Sequence, residues 1–414
     1  MLVKPFSLPA QVLALSDRKL ADCIQYCLFG NAIALRTLGS LKPALLCIVI
    51  LAVFPGLDIS ISRVGIDSLA IALTSVNVLY ALRCAGGDAA TADWLFLGIF
   101  LGAGLLTKAY TLALLPLLLV TALIRAVTHP HAGKHTAESC LAASISAVSI
   151  GGWWYWNTWQ RTGTISGEIF DITTSSFSVA QKLSAAFRMN WLAVADAGAF
   201  SHILPGGWSF LWLRSWMYRA FELVALLAEL GLLMYSARAV AITGRVGLAR
   251  ALDERVILVV AYALMSLPIA YHSVVVLLTR NMSTAIGWYL YPVVVPEVVL
   301  LLLGFRGLFG THWSLRALEC VCILAVALDL YTVHFLLMPY YSGMTARRPF
   351  GSLSSIRLVC WQAQWPRWFQ RLSKAVYQEA GRGGSGRHGC RVDWINLFYG
   401  GTRRHRRLHR CHLG

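Results

Sequence analysis

WLFLGIFLGAGLLTKAYTLALLPLLLVTALI, residues 94–124, is apolar throughout except at Lys108. At about 1.5 Å per residue a continuous helix of this length is roughly 46 Å long, against a hydrocarbon core of about 30 Å. One helix does not fit, so the stretch predicts two short spans with a sharp break at Thr107-Lys108-Ala109. Such a break delivers one ammonium group to a membrane face, where a charge requires an anionic partner or water. A snorkelling lysine satisfies the same pattern. A phosphate ligand is the functional alternative, because Lys meets phosphate as a point charge.

The rest of the chain agrees with that class. Of 414 residues, 57% are hydrophobic and only 13% are charged. Long continuous apolar runs exclude a soluble domain, and their lack of alternation argues against a β-barrel. The expected fold is all-α: a polytopic transmembrane helical bundle of about ten spans. These cover Leu20–Leu35, Pro43–Phe54, Ile66–Leu82, Trp94–Leu106, Tyr110–Ile124, Glu138–Trp156, Met217–Ala237, Val256–Leu278, Ile286–Phe305 and Ala317–Met338. Fifteen Trp and fifteen Tyr suit interfacial belts. No signal peptide is read in the first residues, which lack a small-residue cleavage site after an apolar core.

Charge sorts the loops into two sets. Arg36/Lys42, Arg83, Arg125/Lys134, Arg238/Arg245/Arg250/Arg255 and Arg306/Arg316 mark short basic loops, expected in the cytoplasm. The alternate set holds residues 58–67, the Lys108 break, 157–216 and Arg280-NMST, which places the N-terminus outside. The long outer loop, 157–216, carries AQKLSAAFRMNWLAV (Ala180–Val194), whose spacing predicts an amphipathic helix on the membrane surface.

Three segments follow: residues 1–19, the membrane domain 20–341, and a tail, 342–414. From Thr345 to Gly414 the chain carries 14 Lys and Arg against 2 acids, so +12 of the formal +17 lies there. The tail is open to three readings: an arm for nucleic acid or anionic lipid, a disordered solvated segment, or an out-of-frame extension. The composition changes abruptly and no fold signal replaces the one that stops, so the out-of-frame reading is preferred and no nucleic-acid partner is expected. Ten cysteines show no CxxC pair and read as small buried hydrophobes. His129, His131 and His135 form a solvated loop short of a fourth metal ligand, so no metal site is assigned.

Polar groups at the outer ends of the spans are the candidate ligand-binding residues. Arg63 and Asp67 lie in FPGLDISISRVGIDSLAIAL, where Asp67 also suits a helix N-cap. GGWWYWNTWQRTG (151–163) brings Trp153 and Arg161, either an aromatic belt or a surface on which sugar rings stack. RNMSTAIGWYLYPVVVPEVV supplies Arg280 and Tyr289, and places Glu297 in an apolar run where it needs a partner.

Four patterns in this order, PG…RVGIDSLA, GLLTK, GGWWYWNTWQRTG and GWYLYPVVVP, resemble bacterial GT-C-type multi-spanning membrane glycosyltransferases of the protein O-mannosyltransferase-like and aminoarabinose-transferase-like groups. In the family an Arg usually stands where this chain has Trp288. The resemblance implies transfer of a sugar from a polyprenyl-phosphate carrier, at the outer face of the inner (plasma) membrane. Lys108 would face the lipid phosphate. The implied partners are the lipid-linked sugar and membrane lipids, with no further cofactor. The family's catalytic acid lies in a large first outer loop after an initial span. No such segment precedes Leu20, so no catalytic residue is assigned, and the chain is expected to be a truncated, inactive piece. A lipid or small-anion transporter or flippase, or a non-catalytic membrane protein, are the alternatives.

Overall fold

The computed structural model describes residues 24–341 except 55, 58–66, 87–88, 168–173, 175, 205–212 and 252–254. The chain divides into two units, Met1–Leu337 and Met338–Gly414; in the second, only a short helix, Met338–Tyr341, is described.

Among the described residues every regular element is a helix. Helix α1 spans 24–38 and ends at Gly39, whose φ of 66° is the left-handed turn that glycine adopts without strain. Next come α2 (Leu41–Ala52), α3 (Asp67–Ala85) and α4 (Thr91–Thr107). A 3₁₀ turn, Ala109–Leu114, leads into α5 (Leu115–Thr128). Helix α6 (Gly133–Ala147) runs through a π turn, Val148–Gly152, into α7 (Trp153–Thr162). Then follow α8 (Val179–Arg188), α9 (Trp191–Ile203), α10 (Ser215–Ala251) and α11 (Arg255–Arg280). A 3₁₀ segment, Gly287–Val293, opens α12 (Val294–Tyr331), which kinks at Gly310 and continues as a π turn, Thr332–Leu337.

Among the described residues six helical stretches are long and apolar enough to cross a membrane: Asp67–Ala85, Ala109–Thr128, Ser215–Arg238, Arg255–Arg280, Gly287–Gly310 and Trp313–Leu337. Leu41–Ala52 and Thr91–Thr107 are apolar but shorter. The chain therefore has the make-up of a multi-pass membrane protein.

From α3 to α6–α7 successive helical rods run antiparallel, and polar side chains pin their ends. At one end of the α3–α4 hairpin Arg83 pairs with Asp93 at 3.1 Å; at the other Lys108 meets Asp67. Helix α5 returns to the first end. There buried Arg125 donates to the carbonyls of Cys84 (3.2 Å), Gly86 and Ala89 (3.5 Å), so a cation caps the C-terminus of α3. Helices α6–α7 run back again, from a His135–Thr91 contact of 3.1 Å to a hydrogen bond of 2.8 Å from the Tyr155 hydroxyl to the Leu105 carbonyl. At the first end, too, Arg238 donates to Gly307 O (3.0 Å) and Arg306 to Leu38 O (2.9 Å). These arginines belong to the short basic loops of the sequence, and they gather at one end of the bundle. Lys108, Asp67 and Tyr289 belong to the other.

Between the ends packing is tight. Helices α10 and α12 touch through backbone: a Cβ on Gly304 would lie 2.1 Å from Ala228 O. The shared core includes Trp94, Leu97, Leu101, Tyr291 and Val293–Val295. Cys47, Cys84, Cys140 and Cys322 are buried free thiols, Cys27 is half-buried, and Cys320 is exposed.

The loop between α7 and α10 departs from expectation. The amphipathic pattern across Ala180–Val194 predicts one helix, but two form. Helix α8 starts at a capping box in which Ser178 Oγ accepts from Gln181 N (3.2 Å) and Gln181 Oε1 accepts from Ser178 N (2.8 Å). It stops at Met189, which is extended, and Asn190 Oδ1 caps a new helix by accepting from Ala193 N (3.1 Å). On α8, Val179, Leu183 and Phe187 remain exposed along one stripe.

Candidate anion site at the helix break

Lys108 terminates α4 and begins the following 3₁₀ turn with extended backbone, φ −152° and ψ 142°. Thr107 Oγ1 donates back to Ala103 O (2.9 Å), and Lys108 N still bonds Gly104 O (3.1 Å), so the helix is intact up to the break. Thr111 N then bonds Lys108 O (3.1 Å) and tightens the next turn. Pro116 near the start of α5 contributes no amide donor, which costs nothing in a first turn.

The break sends the Lys108 ammonium to Asp67, the first residue of α3, where it donates to Oδ1. The side chains are 25% and 40% exposed. Asp67 is also the first residue of α3, at the positive end of the helix dipole. The Tyr110 ring centroid lies 5.5 Å from the ammonium and 6.5 Å from the Tyr289 ring. Trp288 and His272 flank Tyr289 at 6.3 and 6.0 Å. Asp67, Ile71, Tyr110, Trp288, Tyr289, Tyr291 and Pro292 line a narrow cleft of about 10 Å³, enough for one water centre. Lys108 is therefore a cation beside an aromatic cleft, neutralised by a carboxylate that lines it.

Behind the cleft lies a second ionisable pair. His202 Nε2 is 3.0 Å from the Glu297 carboxylate, and Nδ1 is 3.0 Å from Gly287 O. Both partners are acceptors, so the ring holds a proton on each nitrogen or shares one with the carboxyl. Burial works against the imidazolium; the Glu297 charge and the bonds to Glu297 and Gly287 outweigh it and raise the pKa of His202. The Tyr291 hydroxyl donates to His202 O at 2.7 Å, and Gly287 N donates to Ser201 Oγ at 2.7 Å. The approach depends on glycine: a Cβ on Gly287 would lie 1.9 Å from Gly198 O. Glu297 thus has the partner that its apolar setting demands.

The structure joins Lys108, Asp67 and Tyr289 of the expected set. Trp153 is exposed on α7 with its ring edge-to-face against Trp154 (5.9 Å), and Arg161 is exposed near the end of that helix. Neither lines the cleft, although Tyr155 of the same helix bonds the last turn before Lys108. Arg280 is exposed at the end of α11, outside the cleft lining, and is followed by Asn281 at a φ of 53°. Arg63 lies outside the described residues. Tyr110 and His202 were not singled out by sequence; the only hint of His202 was the unpaired acid at Glu297, 95 residues away.

The chain matched no protein-family model, no curated protein and no solved structure.

Proposed function

We propose that the protein is a membrane glycosyltransferase of the GT-C type, or an inactive relative of one, with about ten spans in a bacterial inner membrane. The donor is a sugar on a polyprenyl-phosphate carrier. The observation that carries this reading is Lys108, a cation at a helix break that pairs with Asp67 on the wall of an aromatic cleft, on the bundle end opposite the arginine loops. An ammonium there stabilises the charge that builds on a departing phosphate. Tyr110 and Tyr289 supply a partly apolar wall that strengthens this attraction relative to water. Asp67 holds the ammonium in place while the site is empty. No residue is assigned as the general base.

The test uses the full chain in lipid nanodiscs with polyprenyl phosphate as ligand. Saturable binding is expected, weakened at least about tenfold by Lys108→Ala and largely retained by Lys108→Arg. Equal binding by wild type and Lys108→Ala sinks the proposal. Transfer from labelled polyprenyl-phosphate sugar then distinguishes an active enzyme from an inactive relative that still binds.

A further inference from the structure

Beside the second pair, α9 and the segment after Asn281 enclose a surface hollow of about 350 Å³, within the range of small-ligand sites. Ala193, Ala197 and Ala285 leave the room; Asp196, Phe200, Ser201 and Thr284 furnish the chemistry. We propose that this hollow binds an uncharged ring bearing several hydroxyl groups, the chemical class of a glycosyl unit. Its identification as the acceptor's seat rests on the proposed transfer reaction; the binding itself does not.

Charge decides the class. Arg219 lies 2.9 Å from Asp196 and 2.6 Å from Glu222, so one guanidinium stands between two carboxylates. Among these three groups the balance is one negative charge, and Asp196, the one that lines the hollow, disfavours an anion beside it. A second cation beside Asp196 meets the repulsion of Arg219. A hydroxyl group meets neither obstacle, because a carboxylate has about four acceptor positions and one guanidinium contact leaves several open. Thr284 offers a hydroxyl with no hydrogen-bond partner among the described residues. Ser201 Oγ donates to Ala197 O (2.7 Å) and accepts from Gly287 N, keeping one lone pair. The Phe200 ring is fixed by Tyr218, edge-on at 4.2 Å, and by Arg219 at 5.7 Å, and gives an apolar side to a ring-shaped ligand.

Position supports the same class. Residues 284 and 285 line the hollow and Trp288, Tyr289, Tyr291 and Pro292 line the cleft beside Lys108, so one segment walls both. The anionic part of a donor and an uncharged hydroxylated partner then have separate seats a few residues apart.

The experiment measures hydrogen exchange of the full chain in nanodiscs with methyl glycosides of glucose, mannose, galactose and arabinose, each to tens of millimolar. At least one is expected to slow exchange in both 191–204 and 281–287. Asp196→Asn and Thr284→Val should each weaken that protection about three- to tenfold, and Ala197→Leu, which fills the hollow, should abolish it. Choline chloride and inorganic phosphate should give none. The proposal is overturned if all four glycosides fail, if choline protects in their place, or if protection survives both polar variants in chains with wild-type melting. Lys108→Ala should leave glycoside protection intact. Loss of polyprenyl phosphate binding in that variant therefore reports on the proposed function alone.

Discussion

Replacing Asp67 by Asn removes the carboxylate that occupies the Lys108 ammonium while keeping size and a hydrogen-bonding oxygen. In the proposed site this carboxylate competes with the phosphate, so the variant should bind polyprenyl phosphate more tightly. The pair is neither surface nor core, with side chains 25% and 40% exposed. Exposed pairs couple by about 0.2–1 kcal/mol, and partial burial beside aromatic rings raises the figure, so about 1.4 kcal/mol is a reasonable central value. That corresponds to about a tenfold lower Kd. The assay is titration of nanodisc-embedded protein with polyprenyl phosphate at low and high salt. The gain should shrink with salt, since these charges are partly screened. It should vanish in the Lys108→Ala background, which closes a double-mutant cycle. Binding by Asp67→Asn that is unchanged or weaker refutes the competition and makes the carboxylate part of the ligand shell.

The His202–Glu297 pair predicts a pH dependence of stability. The folded-state pKa of His202 is raised, so its stabilisation is fully present below the ordinary imidazole value of about 6.5 and is lost as pH rises through the raised value. Melting of detergent-solubilised protein should therefore drop across that window, and His202→Gln should flatten the drop; a drop of the same size in His202→Gln overturns it. Arg125→Ala strips the buried cation that three carbonyls share and should cost about 3 kcal/mol, read as a lowered Tm, with Arg125→Lys recovering only part because one ammonium cannot span the fork. A shift of under about 0.5 kcal/mol would show that water serves those carbonyls equally well.

The Lys108 break was legible because a single cation interrupts 31 residues of apolar sequence, and membrane thickness forces a decision there. The gathering of arginines at one end was legible from loop charge alone. What those arginines do was not: Arg125, Arg238 and Arg306 grip carbonyls of other helices, and periodicity names a residue's face but not its neighbour. The same gap hid His202, a lone histidine at the end of an apolar helix, and Tyr110, which looked like one more apolar residue. Glu297 was flagged because an acid in an apolar run carries a cost that composition reveals. The single amphipathic helix expected between α7 and α10 became two because one side-chain bond, from Ala193 N to Asn190 Oδ1, restarts the chain where hydrophobic spacing continues unbroken. Of the cations named as candidate ligand-binding residues, Lys108 lies beside the cleft, Arg161 and Arg280 lie outside its lining, and Arg63 is outside the described residues.

The end-pinning contacts also set an order of assembly during synthesis. Asp67–Lys108 and Arg125–Cys84 each span 41 residues, and Tyr155–Leu105 spans 50, so helices α3 to α7 can lock together as each hairpin enters the bilayer. The clasp on α1 is different: Leu38 O waits 268 residues for Arg306, and Leu46 O waits 276 for Cys322. Helices α1 and α2, which touch where Gly30 meets Leu51, therefore gain these two bonds only when the last hydrophobic segments arrive. A chain whose early half closes locally while its first helices are kept for the end is exposed to wrong partners over that interval. Ribosome stalling before Arg306 should leave α1 and α2 accessible to crosslinking with the insertion machinery, with the α3–α7 group already protected.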